Sequence, residues 1–316
     1  MRIACIGNTV YDFTVSSNEF IKKGVRTSFY DPVFSVGGPA SNTAGVIARF
    51  ISQDLTDVKA EVDFYGRIGN DAFGKYIYEK MLSENINLNH LTVSNSVMTP
   101  FSFVILNPEE ASRTILTVRS KLDYDNPTTE QEHFDSGYDY ILTDGKYVED
   151  TLKLIEANPK AKTVIDAGRV NSGVLKLCKK VNYIICSEEF AEEVTDYKMG
   201  DSYQEIKVVY AKLHAMFPEA LGITITIGKR GYVFKEKEII VNPAHELEKP
   251  VIDTNGAGDI FHGAFTYAMA FGYPYRNALE FSNITASLST TKTGGRDSCP
   301  NLEEVKDVIK VKKLIK

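Results

Sequence analysis

Two hydrophobic periods alternate along the chain. Short, continuously apolar runs rich in β-branched residues occur at Arg2–Gly7, Glu61–Arg67, Tyr138–Leu142, Thr163–Asp166, Tyr183–Cys186 and Gly222–Ile227. Between them lie stretches whose apolar positions return every three or four residues, near 39–53, 72–85, 148–158, 172–180, 187–195 and 202–217. The first pattern predicts strands buried on both faces and the second amphipathic helices, so the alternation predicts a mostly parallel central sheet in a three-layer α/β/α body. The tail from Ala257 to about Lys292 predicts two successive helices broken near Gly272–Pro274.

Two segments interrupt the alternation. Val25–Val36 and Thr99–Arg119 are rich in aromatic and β-branched residues, with Asn107–Ser112 as a turn. They predict either a hairpin extending the central sheet or a small β lid over the carboxyl ends of the parallel strands, where ligands bind in open α/β sheets. The lid reading divides the chain discontinuously: a body of residues 1–11, 37–97 and 121–316, and a lid of residues 12–36 and 98–120.

Composition narrows the classes. The chain has 316 residues, 43% hydrophobic and 25% charged, as in ordinary globular proteins. A net charge of −6 gives no basic face for nucleic acid or an anionic membrane. The apolar stretch beside Arg2 is too short for a signal peptide and no run reaches the length of a membrane span, so a cytoplasmic protein is expected. Cys5, Cys178, Cys186 and Cys299 form no C-x-x-C pair and the five histidines are scattered, so a zinc or histidine-based metal centre is not expected.

The strongest local signal is the run DTNGAGDIFHGAF from Asp253 to Phe265. Gly256 and Gly258 allow close backbone approach to a ligand, and the apolar run after them starts a helix whose free amides suit an anion such as a phosphoryl group. Asp259 then falls on the first turn. There it either complements the helix dipole or acts as a general base beside an anion hole.

This run resembles the C-terminal signature D-T-x-G-A-G-D-x-F of the ribokinase-like (PfkB) carbohydrate kinase family. Other elements agree in the family's order: Gly7–Asp12, Gly37–Ala44 (GGPASNTA), Gly66–Gly74 (GRIGNDAFG), Thr226–Gly231 (TIGKRG) and Asn283. The resemblance covers nearly the whole chain and implies a ribokinase-like fold with a β lid and ATP-dependent phosphorylation of a hydroxymethyl group. It implies Asp259 as catalytic base and the amides of Gly256, Ala257 and Gly258 as anion hole. It also implies Asp12, Gly38, Asn42 and Arg169 as substrate contacts, and Thr226, Gly228, Gly231 and Asn283 as nucleotide contacts. Magnesium would accompany ATP. A potassium ion would be held by backbone carbonyls at Asp253 and Asn255 beside the turn Thr290–Arg296. A homodimer through the lid is the implied assembly. For Asn42 a helix-start role, and for Asp166 and Arg169 a structural ion pair, are the competing readings.

Two details depart from the family pattern or compete with it. Where many members carry N-x-x-E, this chain has Ser187 and Phe190, which puts the magnesium ligands in question and leaves Glu188 or Glu189 as substitutes. Gly69–Tyr76 nearly satisfies a P-loop but lacks the Ser/Thr after the lysine. The GGPASN form favours an unphosphorylated hexose, ketose or sugar acid as acceptor. A sugar phosphate would need a cationic pocket, for which Arg113, Arg119 and Lys121 are candidates. A nucleoside kinase, and a catalytically silent sugar or nucleotide sensor, are the alternatives.

Overall fold

A computed structural model describes residues 1–19, 21–107, 112–118 and 133–311, with the side chains of residues 112 and 113 excluded. The first half of the chain runs β1 (Arg2–Ile6), β2 (Val10–Ser16), β3 (Tyr30–Gly37), α1 (Pro39–Gln53), β4 (Glu61–Gly69), α2 (Ala72–Ser83), β5 (Ile86–Asn87), β6 (Leu91–Ser94), β7 (Phe101–Asn107) and β8 (Ser112–Val118). There follow β9 (Tyr140–Thr143), α3 (Val148–Ala157), β10 (Lys162–Ala167), α4 (Ser172–Cys178), β11 (Tyr183–Ser187), α5 (Glu188–Thr195) and α6 (Tyr203–Met216). The last stretch holds β12 (Gly222–Thr226), β13 (Tyr232–Lys235), β14 (Ile239–Asn242), α7 (Ala257–Ala270), α8 (Tyr275–Ser289) and α9 (Leu302–Val311).

The main sheet has the order β14-β13-β12-β11-β10-β9-β1-β4-β5, with β6 also on β4. It is parallel from β12 to β5 and ends in the antiparallel strands β13 and β14. Its central strands are continuously apolar because both faces are covered. In β1, Ile3 and Cys5 join one core, with α1, α2, α7, α8 and α9, while Ala4 and Ile6 join another against Leu154 of α3. In β11, Ile185 faces the first core and Ile184 and Cys186 pack with α4, α5 and α6.

The four strands β3-β2-β7-β8 form a separate sheet, so the two interrupting segments do not extend the central one. The outer pairs are antiparallel and β2 runs parallel to β7. The expected strand Val25–Val36 begins only at Tyr30. Its main partner, β2, has no apolar run of its own to announce it and is made by pairing with chain distant in sequence.

Between β4 and α3, Arg67 and Asp150 form a buried ion pair at 2.6 Å, with side chains only 4% and 7% exposed. The guanidinium also lies 4.3 Å from the Tyr147 ring centre. Removing one partner strands the other charge. Asp150→Ala is therefore expected to cost about 3–5 kcal/mol in urea unfolding, and joint replacement of both residues by apolar ones to recover most of it.

Candidate active site

The carboxyl ends of the parallel strands meet the glycine-rich start of α7. Gly256 precedes that helix with φ +73°, a left-handed conformation that suits glycine, and Asp259 sits on the first turn. A Cβ added at Gly258 would meet no atom within 4 Å, so the loop fronts open space. The Asn42 amide of α1 donates to Asp259 Oδ2 at 2.7 Å, across 217 residues of sequence. Asn42 is thus more than a helix-start residue, since the start of α1 is Gly38 (φ +97°) followed by Pro39.

Around Asp259 the fold gathers like charges. Burial and then the neighbouring Asp166 carboxylate push its pKa from 3.8 to about 7, against the Asn42 hydrogen bond and His262, which lower it. Asp144, just past β9, accepts from the backbone amides of Asn8 at 2.7 Å and Lys146 at 3.0 Å. Burial nevertheless raises its carboxyl to about 6. Asp12, on β2, is raised to about 6 by burial, partly offset by a hydrogen bond with Ser102.

Asp12 and Asn8 pack tightly on the glycines that lead from β3 into α1. Gly37 has no room for a Cβ because Asp12 Oδ2 would lie 1.9 Å from it, and one on Gly38 would lie 2.6 Å from the Asn8 carbonyl. The Oδ1 atoms of Asn8 and Asn42 and the Thr9 hydroxyl are buried without hydrogen-bond partners among the described residues. Such groups are what a polyhydroxyl ligand would satisfy.

The other expected residues fall into two further places. Thr226, ending β12, donates to the Cys186 carbonyl at 3.3 Å, and Gly228 opens the next turn at φ +56° with open space around it. Gly231 and Asn283 converge on one segment: a Cβ at Gly231 would lie 2.0 Å from the Asn242 carbonyl, while Asn283 donates to the Pro243 carbonyl at 3.0 Å. Asp253 accepts from the amides of Asn255 at 2.8 Å and Gly294 at 3.2 Å, which stitches the loop before α7 to the 290–296 turn. Its carboxylate is thereby occupied, leaving main-chain carbonyls as the donors a monovalent cation could use there.

The Asp166–Arg169 ion pair is not formed. Asp166 faces His262 instead, Oδ1 to Nε2 at 3.4 Å, and Arg169 is exposed without an ion-pair partner among the described residues. Ser187 caps α5 by accepting from the Phe190 amide at 3.1 Å, and Phe190 is buried. Glu188 is engaged in an ion pair with Arg230, which also binds Asp201 at 2.9 Å. The P-loop look-alike is closed: Asp71 caps α2 through the Gly74 amide, and a Cβ at Gly74 would lie 2.0 Å from the Gly69 carbonyl. The lysine and arginine candidates for a cationic pocket, Arg119 and Lys121 and the side chain of Arg113, lie outside the described residues.

Sequence reasoning passed over Asp144 and His262. Asp144 had a legible signal, an acid directly after an apolar strand and before Gly145. One possible metal-ligating group lies elsewhere, at the amino ends of the strands: Asp63, His90 and Asp135 have ligand atoms within 4.8 Å of one another. The Arg2 guanidinium already serves as their cation, 2.6 Å from Asp63 and 3.1 Å from Asp135, and holds the Asp135 carboxyl below its usual range.

Comparison with known proteins gives this arrangement a class. The chain is 26% identical over 328 residues to the ribokinase of Bacillus subtilis, covering 98% of this chain and all of that protein. The structure of Arabidopsis thaliana ribokinase complexed with ribose and ATP superposes with a TM-score of 0.78 at 20% identity, over 98% of both chains. A Methanocaldococcus jannaschii nucleoside kinase superposes equally well, with a TM-score of 0.78 at 17% identity over 98% of both chains. The fold is therefore ribokinase-like. The profile of the pfkB family of carbohydrate kinases matches residues 1–302, and the chain belongs to that family of phosphotransferases.

The raised Asp259 carboxyl has a consequence for stability. Its folded pKa, about 7, lies above the unfolded value, so the stability it contributes is whole below about pH 4 and is lost as pH rises through 7. Asp259→Asn is expected to exceed the wild type in stability by on the order of 4 kcal/mol at pH 8 and to come close to it near pH 4. Urea unfolding at the two pH values checks this.

Proposed function

We propose that the protein transfers the γ-phosphoryl group of ATP to a hydroxymethyl group of a small unphosphorylated carbohydrate, a hexose, ketose or sugar acid. The observation that carries this reading is the Asn42–Asp259 hydrogen bond at the mouth of a glycine-rich helix start, which puts an acceptor for a hydroxyl proton beside amides suited to an anion.

In this reading Asp12, Gly38 and Asn42 hold the sugar, and Arg169, exposed after β10, reaches toward it. Asp259 accepts the proton of the attacking hydroxyl. Its raised pKa places the base near the working pH instead of far below it. The Gly256, Ala257 and Gly258 amides receive the transferring phosphoryl group. Thr226, Gly228, Gly231 and Asn283 shape the nucleotide pocket, the last two by holding the 242–244 segment. Magnesium, bound with the nucleotide, would offset phosphate charge. With Ser187 acting as a cap, Phe190 buried and Glu188 paired to Arg230, the chain's share in placing it would fall to Glu189 and water. A potassium ion would rest on the main-chain carbonyls of Asp253 and Asn255.

The small sheet, residues 12–36 and 98–120, acts as a lid that excludes water on the body formed by the remainder. Phe34 and Leu116, in one register row with Phe13 and Phe103 and therefore on one face, are 50% and 48% exposed, an apolar strip that supports a homodimer through the lid. Four buried free thiols suit a cytoplasmic protein. A nucleoside as acceptor is the second reading, favoured by the equal superposition on the nucleoside kinase.

Asp259→Asn is expected to lower phosphoryl transfer by at least about 10³-fold while the protein stays folded. The assay is ADP release with ATP and magnesium across sugars, sugar acids, phosphosugars and nucleosides. Near wild-type rates in the variant would refute the assigned base, and ligand binding without turnover in the wild type would indicate a sensor. Light scattering at micromolar concentration tests the dimer, with a monomeric mass counting against it.

A further inference from the structure

His262 lies one helical turn beyond Asp259 on α7 and is 4% exposed. Its Nδ1 is 2.6 Å from the Gly258 carbonyl. Its Nε2 is 3.3 Å from the Ile185 carbonyl of β11 and 3.4 Å from Asp166 Oδ1 of β10. All three neighbours are acceptors. A neutral imidazole carries one N–H and one lone pair, so with Asp166 ionised either tautomer would turn a lone pair toward oxygen, and the doubly protonated ring is the form that satisfies both sides. The ring also wedges the start of α7 against two parallel strands, and the carbonyl it holds belongs to Gly258 of the glycine loop.

We propose that His262 is a positioning residue of this site, a buried imidazolium that ties the Gly258 carbonyl to Asp166 and so fixes the glycine loop while offsetting the Asp166 charge beside Asp259. The proposal rests on Asp259 being the base. Charged groups facing the pair among the described residues are Asp166 from β10, Asp144 from the end of β9 and Asp259 itself, while α1 presents the neutral Asn42 amide. Arg296, on the turn beside Gly256, is spent on the Ser41 carbonyl at 2.9 Å and on Glu84 at 2.9 Å. With Arg296 so engaged, His262 is the cation that stands between Asp166 and the glycine loop.

The first test needs no substrate. In protein labelled with ¹⁵N-histidine, with His262→Asn used to assign the signal, both His262 ring nitrogens are expected to remain protonated at pH 7.5. A neutral ring at that pH overturns the proposal. The second is the pH profile of kcat. His262→Gln keeps a donor but not the charge, and is expected to move the acidic limb up by about one pH unit, an approximately ten-fold loss below the limb with kcat at pH 9 nearly retained. Asp166→Asn in that background is expected to bring the limb back down, which a purely packing role would not do. An unmoved limb in His262→Gln overturns the proposal while leaving the base intact; an active Asp259→Asn overturns the base itself.

Discussion

Crowding of carboxylates at the carboxyl ends of the parallel strands is the constraint on which the site depends. Asp144 follows β9, Asp166 lies near the end of the adjacent β10, and α7 brings Asp259 down onto them. Each would be solvated and ionised in water; held together at half-buried positions they compete for protons. The fold meets this cost with directed donors: the amides of Asn8, Lys146 and Ala40 on Asp144, the Asn42 side chain on Asp259 and the His262 ring against Asp166. Stability and chemistry pull in opposite directions here, since the same burial that weakens the fold above neutral pH gives Asp259 a proton affinity matched to a general base.

The opposite end of the sheet handles the same problem differently. There Asp63, fully buried, accepts from Arg2, from the Tyr138 hydroxyl at 2.6 Å and from Asn87 at 2.9 Å, so every lone pair in use has a fixed partner. Among the described residues, the Asp63 carboxylate is taken up by groups of the chain itself. Near the helix start, by contrast, the Asn8, Thr9 and Asn42 oxygens remain unpartnered. The contrast between saturated and unsaturated polar groups distinguishes the structural end of the sheet from the chemical one.

Much of the body was legible because its signals are local. α1 covers Pro39–Gln53, where a Pro after two glycines opens an apolar repeat, and α7 and α8 flank the predicted break. The GAGD run located Asp259 because a glycine-rich turn and a helix start lie within a few residues. What escaped depended on pairing across the chain. The charged tripeptide 236–238 hid the β13–β14 hairpin, and β2 is polar at alternate positions yet is held by β7 some ninety residues on. His262 was one of five scattered histidines; its meaning comes only from Asp166 and Ile185, which the sheet brings beside it. The competing reading of an Asp166–Arg169 pair failed for the same reason, because a distant histidine faces the carboxylate instead.

The small sheet joins the body along one end, with a further tie where the Tyr76 hydroxyl of α2 donates to the Phe34 carbonyl of β3 at 2.8 Å. Val10 pairs with Gly37 and Tyr11 with Phe101, so β2, β3 and β7 all leave or enter the body along a single line. That line is pinned by Gly38 against Asn8, and by Thr99, which bonds Gly69 at 2.8 Å and Asp71 at 2.8 Å. Asp12, two residues beyond Val10 and paired with Ser35 and Ser102, sits beside that line, and its carboxylate packs on Gly37 where β3 re-enters the body. Its placement is therefore set by the joint between the two sheets and by neither sheet alone.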